Sequence, residues 1–266
     1  MPASSKFSGS QVIGVIPARL ASTRLPRKIL REIAGKPMLA WVYDAASKAG
    51  VFDRLIVATD TQEVAEFCRA NGWECWMTSS DLASGTDRVH AVAQQLAHED
   101  SRDSSNDIFV NIQGDEPLLR TEHFRTLLRP FQRDDVEVST LRTACPAEEI
   151  ANPNVVKVVV DHDGKALYFS RATIPFNRDG NFVGTIGYWK HLGLYAYRKP
   201  ILDRFPHLPA SQLEATERLE QLRLLENGIA IHVEPVEDDT IGVDTEADLE
   251  AAAAVLRQRE SQPLAP

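Results

Sequence analysis

The first half of the chain alternates short apolar runs with longer amphipathic stretches. "QVIGVI" (11–16) is rich in Val and Ile and stops at Pro17, which predicts a buried strand. "RLIVATD" (54–60) and "IFVNIQ" (108–113) read as further strands, and "WECWMT" (73–78) could be a short one. Between them, "PMLAWVYDAASKAG" (37–50) reads as a helix, with Pro37 suited to its first turn and Gly50 to its end. "TQEVAEFCRANG" reads as a second helix with Asp60 or Thr61 as its cap, and 84–100 begins as a loop and becomes a third. "EDSRDSSND" (99–107) is a polar surface connection. Strands alternating with helices predict a mostly parallel sheet covered on both faces.

After residue 135 the rhythm changes. "VEVSTLRTA", "VVKVVVD", "ALYFSR" and "HLGLYAYR" are strand-like, and "DHDG" (161–164) is a hairpin turn signal. Residues 211–228 read as one helix, with Ser211 and Glu214 in capping-box spacing and Gly228 at the end. "IAIHVEPV" predicts another strand, and 244–260 a closing helix. The expected fold class is therefore α/β: a mostly parallel central sheet flanked by helices, with an inserted antiparallel section at about 136–210. The whole of 1–266 is expected to form one structural unit, with tails at 1–10 and 261–266.

Composition narrows the function. At 266 residues and 43% hydrophobic content the chain can bury a sizeable core. No apolar run approaches the roughly 20 residues of a membrane span. The first residues lack the apolar core of a signal peptide, which favours the cytoplasm. Cys68, Cys75 and Cys145 are odd in number and show no CxxC pairing, so they read as buried thiols rather than zinc ligands or disulfides. A net charge of −9 argues against nucleic acid or an anionic membrane as partner.

One segment runs against that charge. In "VIPARLASTRLPRKILREIAGKPML" (15–39), Arg19, Arg24, Arg27, Lys28, Arg31 and Lys36 crowd together just past the first strand. Ligands of open α/β sheets bind beyond the carboxyl ends of strands. There Arg offers a rigid fork to phosphate oxygens and Lys a point charge, although a solvated basic loop has the same composition. No GxGxxG follows the strand, "AGKPM" is not a P-loop, and neither a nucleophile elbow nor HExxH is present. Asp115, in "GDEP", follows a predicted strand, and Asp244, in "VDT", precedes the last helix. Singly they read as a turn carboxylate and a helix N-cap. Together they could hold one hard cation, since Mg²⁺ usually takes one or two carboxylates plus substrate oxygens.

"IPARLASTRLPRK" resembles the nucleotide loop of the sugar nucleotidyltransferases that use CTP. "SGTDRV", "VNIQGDEP", "NPNVVKVV", "ALYFSRATIP", "HLGLYAYR", "LEQLR" and "GVDT" follow in the family's order, from about residue 11 to residue 259. The resemblance is most specific to the cytidylyltransferases of 3-deoxy-manno-octulosonate (Kdo). It implies a Rossmann-like nucleotidyltransferase fold, CTP and Kdo as substrates, CMP-Kdo and pyrophosphate as products, and a place in lipopolysaccharide synthesis. It implies two Mg²⁺ ions, one held by Asp115 and Asp244, and a homodimer. Arg19 and Lys28 would act with those carboxylates in catalysis. Pro17, Ala18, Arg19, Arg24, Lys28, Ser84, Thr86 and Arg88 would bind the nucleotide. Gln113, Arg171, His191, Tyr195, Glu220 and Gln221 would contact the sugar. A modified octulosonate such as an 8-amino sugar, or a silent nucleotide-binding module, remains open at this level.

The chain departs from the family at two points. Arg27 stands where the family usually has Gly before the loop lysine, and Gly is the residue that positive φ or close backbone approach to phosphate would call for. Gln212 replaces a Pro and should alter only a helix start. Finally, Gly180, Asn181, Gly184 and Gly187 make 174–191 rich in turn formers, which suggests a segment that covers the sugar.

Overall fold

Residues 9–20, 24–99, 102–178, 187–209 and 211–261 are described by the computed structural model. Most of the expected tails, residues 21–23 of the basic stretch, and Gly180, Asn181 and Gly184 of the expected cover lie outside the described residues. The chain divides into two compact units, residues 1–124 with 240–266, and residues 125–239.

In the first unit, β1 (Val12–Pro17) is buried from Val12 to Ile16, which explains its unbroken apolar run. It is followed by a small antiparallel pair, β2 (Glu32–Ile33) and β3 (Lys36–Pro37). Then come α1 (Met38–Ala49), β4 (Arg54–Thr59), α2 (Gln62–Ala70), β5 (Glu74–Met77), α3 (Gly85–Glu99) and β6 (Ile108–Asn111). β1 pairs in parallel with both β4 and β6, and β4 with β5, giving the order β6-β1-β4-β5. The parallel α/β core is as the alternation predicts. A further helix, α4 (Thr121–Leu128), spans the division between the units.

The second unit holds β7 (Val138–Ala144), β8 (Lys157–Val160), β9 (Ala166–Ser170) and β10 (Trp189–Arg198). After them come α5 (Lys199–Arg204), α6 (Gln212–Glu217), α7 (Gln221–Glu226) and β11 (His232–Pro235). β10 is antiparallel to β7 and to β8, β8 and β9 are antiparallel, and β11 is parallel to β7. The β8–β9 turn is "DHDG", where the Asp161 carboxylate accepts from the Asp163 and Lys165 amides. The single helix expected at 211–228 is two. Ser211 caps α6 as its spacing predicts, its Oγ accepting from the Glu214 amide at 2.9 Å. Arg218 then adopts the left-handed conformation (φ 54°, ψ 49°) and ends α6 after six residues.

The first unit closes with α8 (Glu246–Ser261). Its Leu249, Ala252, Ala253 and Leu256 recur at helical spacing and pack on Leu25, Ile33, Met38, Leu118 and Val243. Leu25 comes from the basic stretch and Val243 immediately precedes Asp244, so this cluster anchors both. Arg259 adds a hydrogen bond to the Leu118 carbonyl at 2.8 Å. Leu256→Ala should destabilise the fold by about 2–5 kcal/mol through lost burial and the cavity left behind. Urea unfolding checks this, and a loss under about 0.5 kcal/mol would mean that α8 is not a core element.

Candidate functional site

Because β1 and β6 are parallel neighbours, the segments that follow them leave the sheet at the same end. Gly114 permits their close approach: a Cβ there would lie 2.9 Å from the Pro17 carbonyl oxygen. One residue on, the Asp115 carbonyl accepts the Val243 amide at 2.9 Å, which draws the segment before α8 into the same place. Three sequence-distant side chains then meet. The Lys28 ammonium donates to Asp115 at 2.6 Å and to Asp244 at 2.9 Å, and Arg24 reaches the second oxygen of Asp244 at 2.9 Å. Burial works against the Lys28 charge, but the two carboxylates outweigh it and hold its pKa above that of an ordinary lysine.

These groups border a cleft of about 370 Å³, which Pro17, Arg19, Ser84, Gly85 and Gln113 also line. One terminal nitrogen of Arg19 is buried there without a hydrogen-bond partner. A guanidinium nitrogen left so is costly unless an acceptor arrives, and the cleft is where one would arrive.

The Asp244 carboxylate does not cap α8. The cap of α8 is Thr245, whose hydroxyl accepts from the Asp248 amide at 3.2 Å, while the Asp248 carboxylate accepts from the Thr245 amide at 2.8 Å. Asp244 gives only its amide to that arrangement, at 3.0 Å to Asp248, and its carboxylate is left for Lys28 and Arg24. The capping alternative for Asp244 is overturned.

Arg27 resolves its own departure. It takes φ 57° and ψ 30°, the left-handed conformation that glycine would adopt without strain, and opens the short turn Lys28–Leu30. Its guanidinium pairs with Glu63 on α2. The loop path thus keeps a glycine-like shape, with the added cation held away from the two carboxylates.

The other nucleotide-side candidates are more structural. Ser84 caps α3, exchanging bonds of 3.0 and 3.1 Å with Asp87. Thr86 is buried and accepts from Asn111 at 3.4 Å. Arg88 is fully buried, bonded to Asp60 at 2.9 Å and to the Thr78 hydroxyl, and does not line the cleft. Ala18 is buried, and its amide donates to the Ala58 carbonyl at 2.8 Å.

Of the sugar-side candidates, Gln113 belongs to the first unit and lines the cleft. The rest belong to the second. His191 and Tyr195 on β10 have rings 5.4 Å apart, and His191 Nε2 lies 3.0 Å from the Thr140 hydroxyl. Burial pushes the His191 pKa down to about 3, so its imidazole is neutral at physiological pH. The Tyr195 hydroxyl is buried beside Thr140. Glu220 precedes α7 and Gln221 begins it. The Arg171 guanidinium is engaged with three backbone carbonyls, those of Glu217, Pro153 and Arg218. Glycines 85 and 114, which shape the cleft, were not singled out from the sequence; the only available signal was a Gly directly after a predicted strand or at a helix start.

Comparison with known proteins places this geometry. Residues 13–232 match the cytidylyltransferase family. A 3-deoxy-manno-octulosonate cytidylyltransferase from Acidobacterium capsulatum is 58% identical, over 96% of this chain and 100% of its own length. One of the same description from Koribacter versatilis is 56% identical, over 94% and 91%. A solved structure of CMP:2-keto-3-deoxy-manno-octonic acid synthetase complexed with CTP superposes with a TM-score of 0.85 at 42% identity, covering 94% of this chain and all of that one. A glucose-1-phosphate thymidylyltransferase from Bacillus anthracis, at 15% identity and a TM-score of 0.66, shares the fold.

Two outcomes follow from the local chemistry. Thr245→Ala should cost about 1 kcal/mol of stability as a lost cap, while Asp244→Ala should cost clearly less. Equal losses in urea titration would return Asp244 to a capping role. For His191, a depressed pKa means that the unfolded chain binds its proton more readily. Its contribution to stability is present above about pH 6.5 and is lost as pH falls towards 3. His191→Gln should therefore flatten the decline of melting temperature across that range, and an unchanged slope would show that another group carries it.

Proposed function

The chain belongs to the cytidylyltransferase family, and we propose that it transfers CMP from CTP to the anomeric hydroxyl of Kdo, releasing pyrophosphate. The observation that carries this reading is the Lys28 ammonium held at 2.6 and 2.9 Å between Asp115 and Asp244, in a cleft that Arg19 and Arg24 also line. The acceptor oxygen attacks the α-phosphorus in line. The bond from that phosphorus to the β-phosphate oxygen breaks, and the hydroxyl proton is lost. Negative charge accumulates on the phosphate oxygens and on the leaving pyrophosphate. Arg19, Arg24 and Lys28 oppose it from fixed positions, which lowers the barrier more than mobile counterions could. No side-chain nucleophile is required.

The donor set suits a divalent cation. Asp115 and Asp244 already converge on one positive centre, the lysine ammonium. No group of three His, Cys, Asp or Glu that could hold a metal occurs among the described residues. Two carboxylates, with substrate oxygens completing the shell, fit Mg²⁺ better than zinc. Mg²⁺ held by these two residues would supply Lewis-acid polarisation of the reacting oxygens. A second ion would travel with the triphosphate. In this reading Lys28 keeps the carboxylates close in the free protein and is available to the phosphates once CTP is bound.

Pyrophosphate release on mixing the protein with CTP, Kdo and Mg²⁺ tests the assignment. Asp115→Ala and Asp244→Ala should each lower kcat on the order of a thousandfold, roughly 4 kcal/mol, while leaving the melting temperature nearly unchanged. Lys28→Ala should impair kcat and raise KM for CTP but leave KM for Kdo alone. Release with another nucleotide in preference to CTP would overturn the donor assignment. A wild-type rate in Asp244→Ala would remove the paired carboxylates from the reaction.

A further inference from the structure

Arg171 is expected from resemblance to lie against the sugar, yet its donors are committed within the protein. Its Nε donates to the Glu217 carbonyl at 2.8 Å, Nη1 to that of Pro153 at 3.1 Å and Nη2 to that of Arg218 at 3.5 Å. Glu217 answers with its carboxylate, which accepts the Arg171 amide at 2.9 Å and the Ser170 hydroxyl at 2.6 Å. From the other side, Lys157 is fully buried and gives all three of its donors to carbonyls: Asn152 at 2.8 Å, Val155 at 2.6 Å and Arg171 itself at 2.7 Å. The end of β9, the loop before β8 and the last residues of α6 are thereby stitched at one point.

That point is also where the backbone is unfavourable. Arg218 sits at φ 54°, a conformation that side chains bearing a Cβ adopt at a cost. Its own side chain is exposed and has no shown role that offsets that cost. The turn is held locally by the Arg218 amide donating to the Glu214 carbonyl at 2.7 Å and by Arg223 of α7 paired with Glu214 of α6 at 2.7 and 2.5 Å. Arg171 adds the tie from β9, at 2.8 Å to the Glu217 carbonyl and 3.5 Å to that of Arg218. The turn in turn sets the start of α7: Leu219 is buried, Glu220 follows as the residue before the helix, and Gln221 opens it buried.

We propose that Arg171 is a positioning residue, which holds the left-handed turn at Arg218 and through it places Glu220 and Gln221 for the acceptor. The proposal rests on the reading of Kdo as acceptor for its kinetic consequence, but not for its structural one.

The test uses Arg171→Gln, Arg218→Gly and the double variant in the full chain. Gln cannot grip the three carbonyls, so Arg171→Gln should raise KM for Kdo about tenfold or more and leave KM for CTP within about twofold. Glycine accepts the left-handed conformation without strain, so Arg218→Gly added to Arg171→Gln should recover about fivefold of that loss. Amide hydrogen exchange over 217–223 should rise in Arg171→Gln and fall back in the double variant. A direct sugar contact would give the same single-variant KM, but Arg218→Gly could not restore it. Failure of rescue in both KM and exchange therefore overturns the proposal, as does unchanged exchange in Arg171→Gln. If the wild type is inert toward Kdo while exchange responds as described, the acceptor assignment falls and the positioning role stands.

Discussion

A backbone hydrogen bond, from the Val243 amide to the Asp115 carbonyl, ties together the two segments that carry the site's carboxylates. Like charges brought together repel, so the arrangement needs opposing forces. Lys28 supplies one, but its partners are 31% and 44% exposed, and pairs of that kind contribute about 0–1 kcal/mol. The buried side chains around Val243 and α8 contribute about 1.5–3 kcal/mol each. Packing therefore holds the site, and the ion pairs tune it.

The arginines of this chain separate by what their donors meet. Arg88 and Arg171 are engaged with protein acceptors and serve as internal braces. Arg27 faces Glu63 on the surface. Arg88 Nε and one nitrogen of Arg19 are both buried without a partner, but of the two residues Arg19 alone lines the cleft. Residue type and sequence neighbourhood do not make this distinction; hydrogen-bond accounting and the lining of the cleft do.

That is also the line between what could and could not be read from the sequence. The strands of the parallel sheet were legible because burial on both faces leaves runs such as 12–16 without polar interruption. The meeting of Lys28, Asp115 and Asp244 was foreshadowed by position, each lying past a strand or before a helix, and by the family resemblance that groups them. The choice between Asp244 and Thr245 as cap was not legible, since both residue types cap helices. It turns on the carboxylate of Asp248, one turn further on. The break in 211–228 was hidden for a different reason. Arg218 is a good helix former, and its residue type does not announce the left-handed cap it forms at the end of α6. At Arg27 the sequence raised the question and the backbone answered it, because the glycine-like conformation survives the substitution.

The pairing of Lys28 with Asp244 joins residues 216 positions apart. A polypeptide is made from its amino end, and its early segments can fold while later ones are still being added. Here β1, β4 and β6 can assemble from the first 111 residues. The cleft at their ends nevertheless stays incomplete until the closing helix has emerged and docked. A nascent chain thus holds these three strands before Asp244 can reach Lys28 and Asp115.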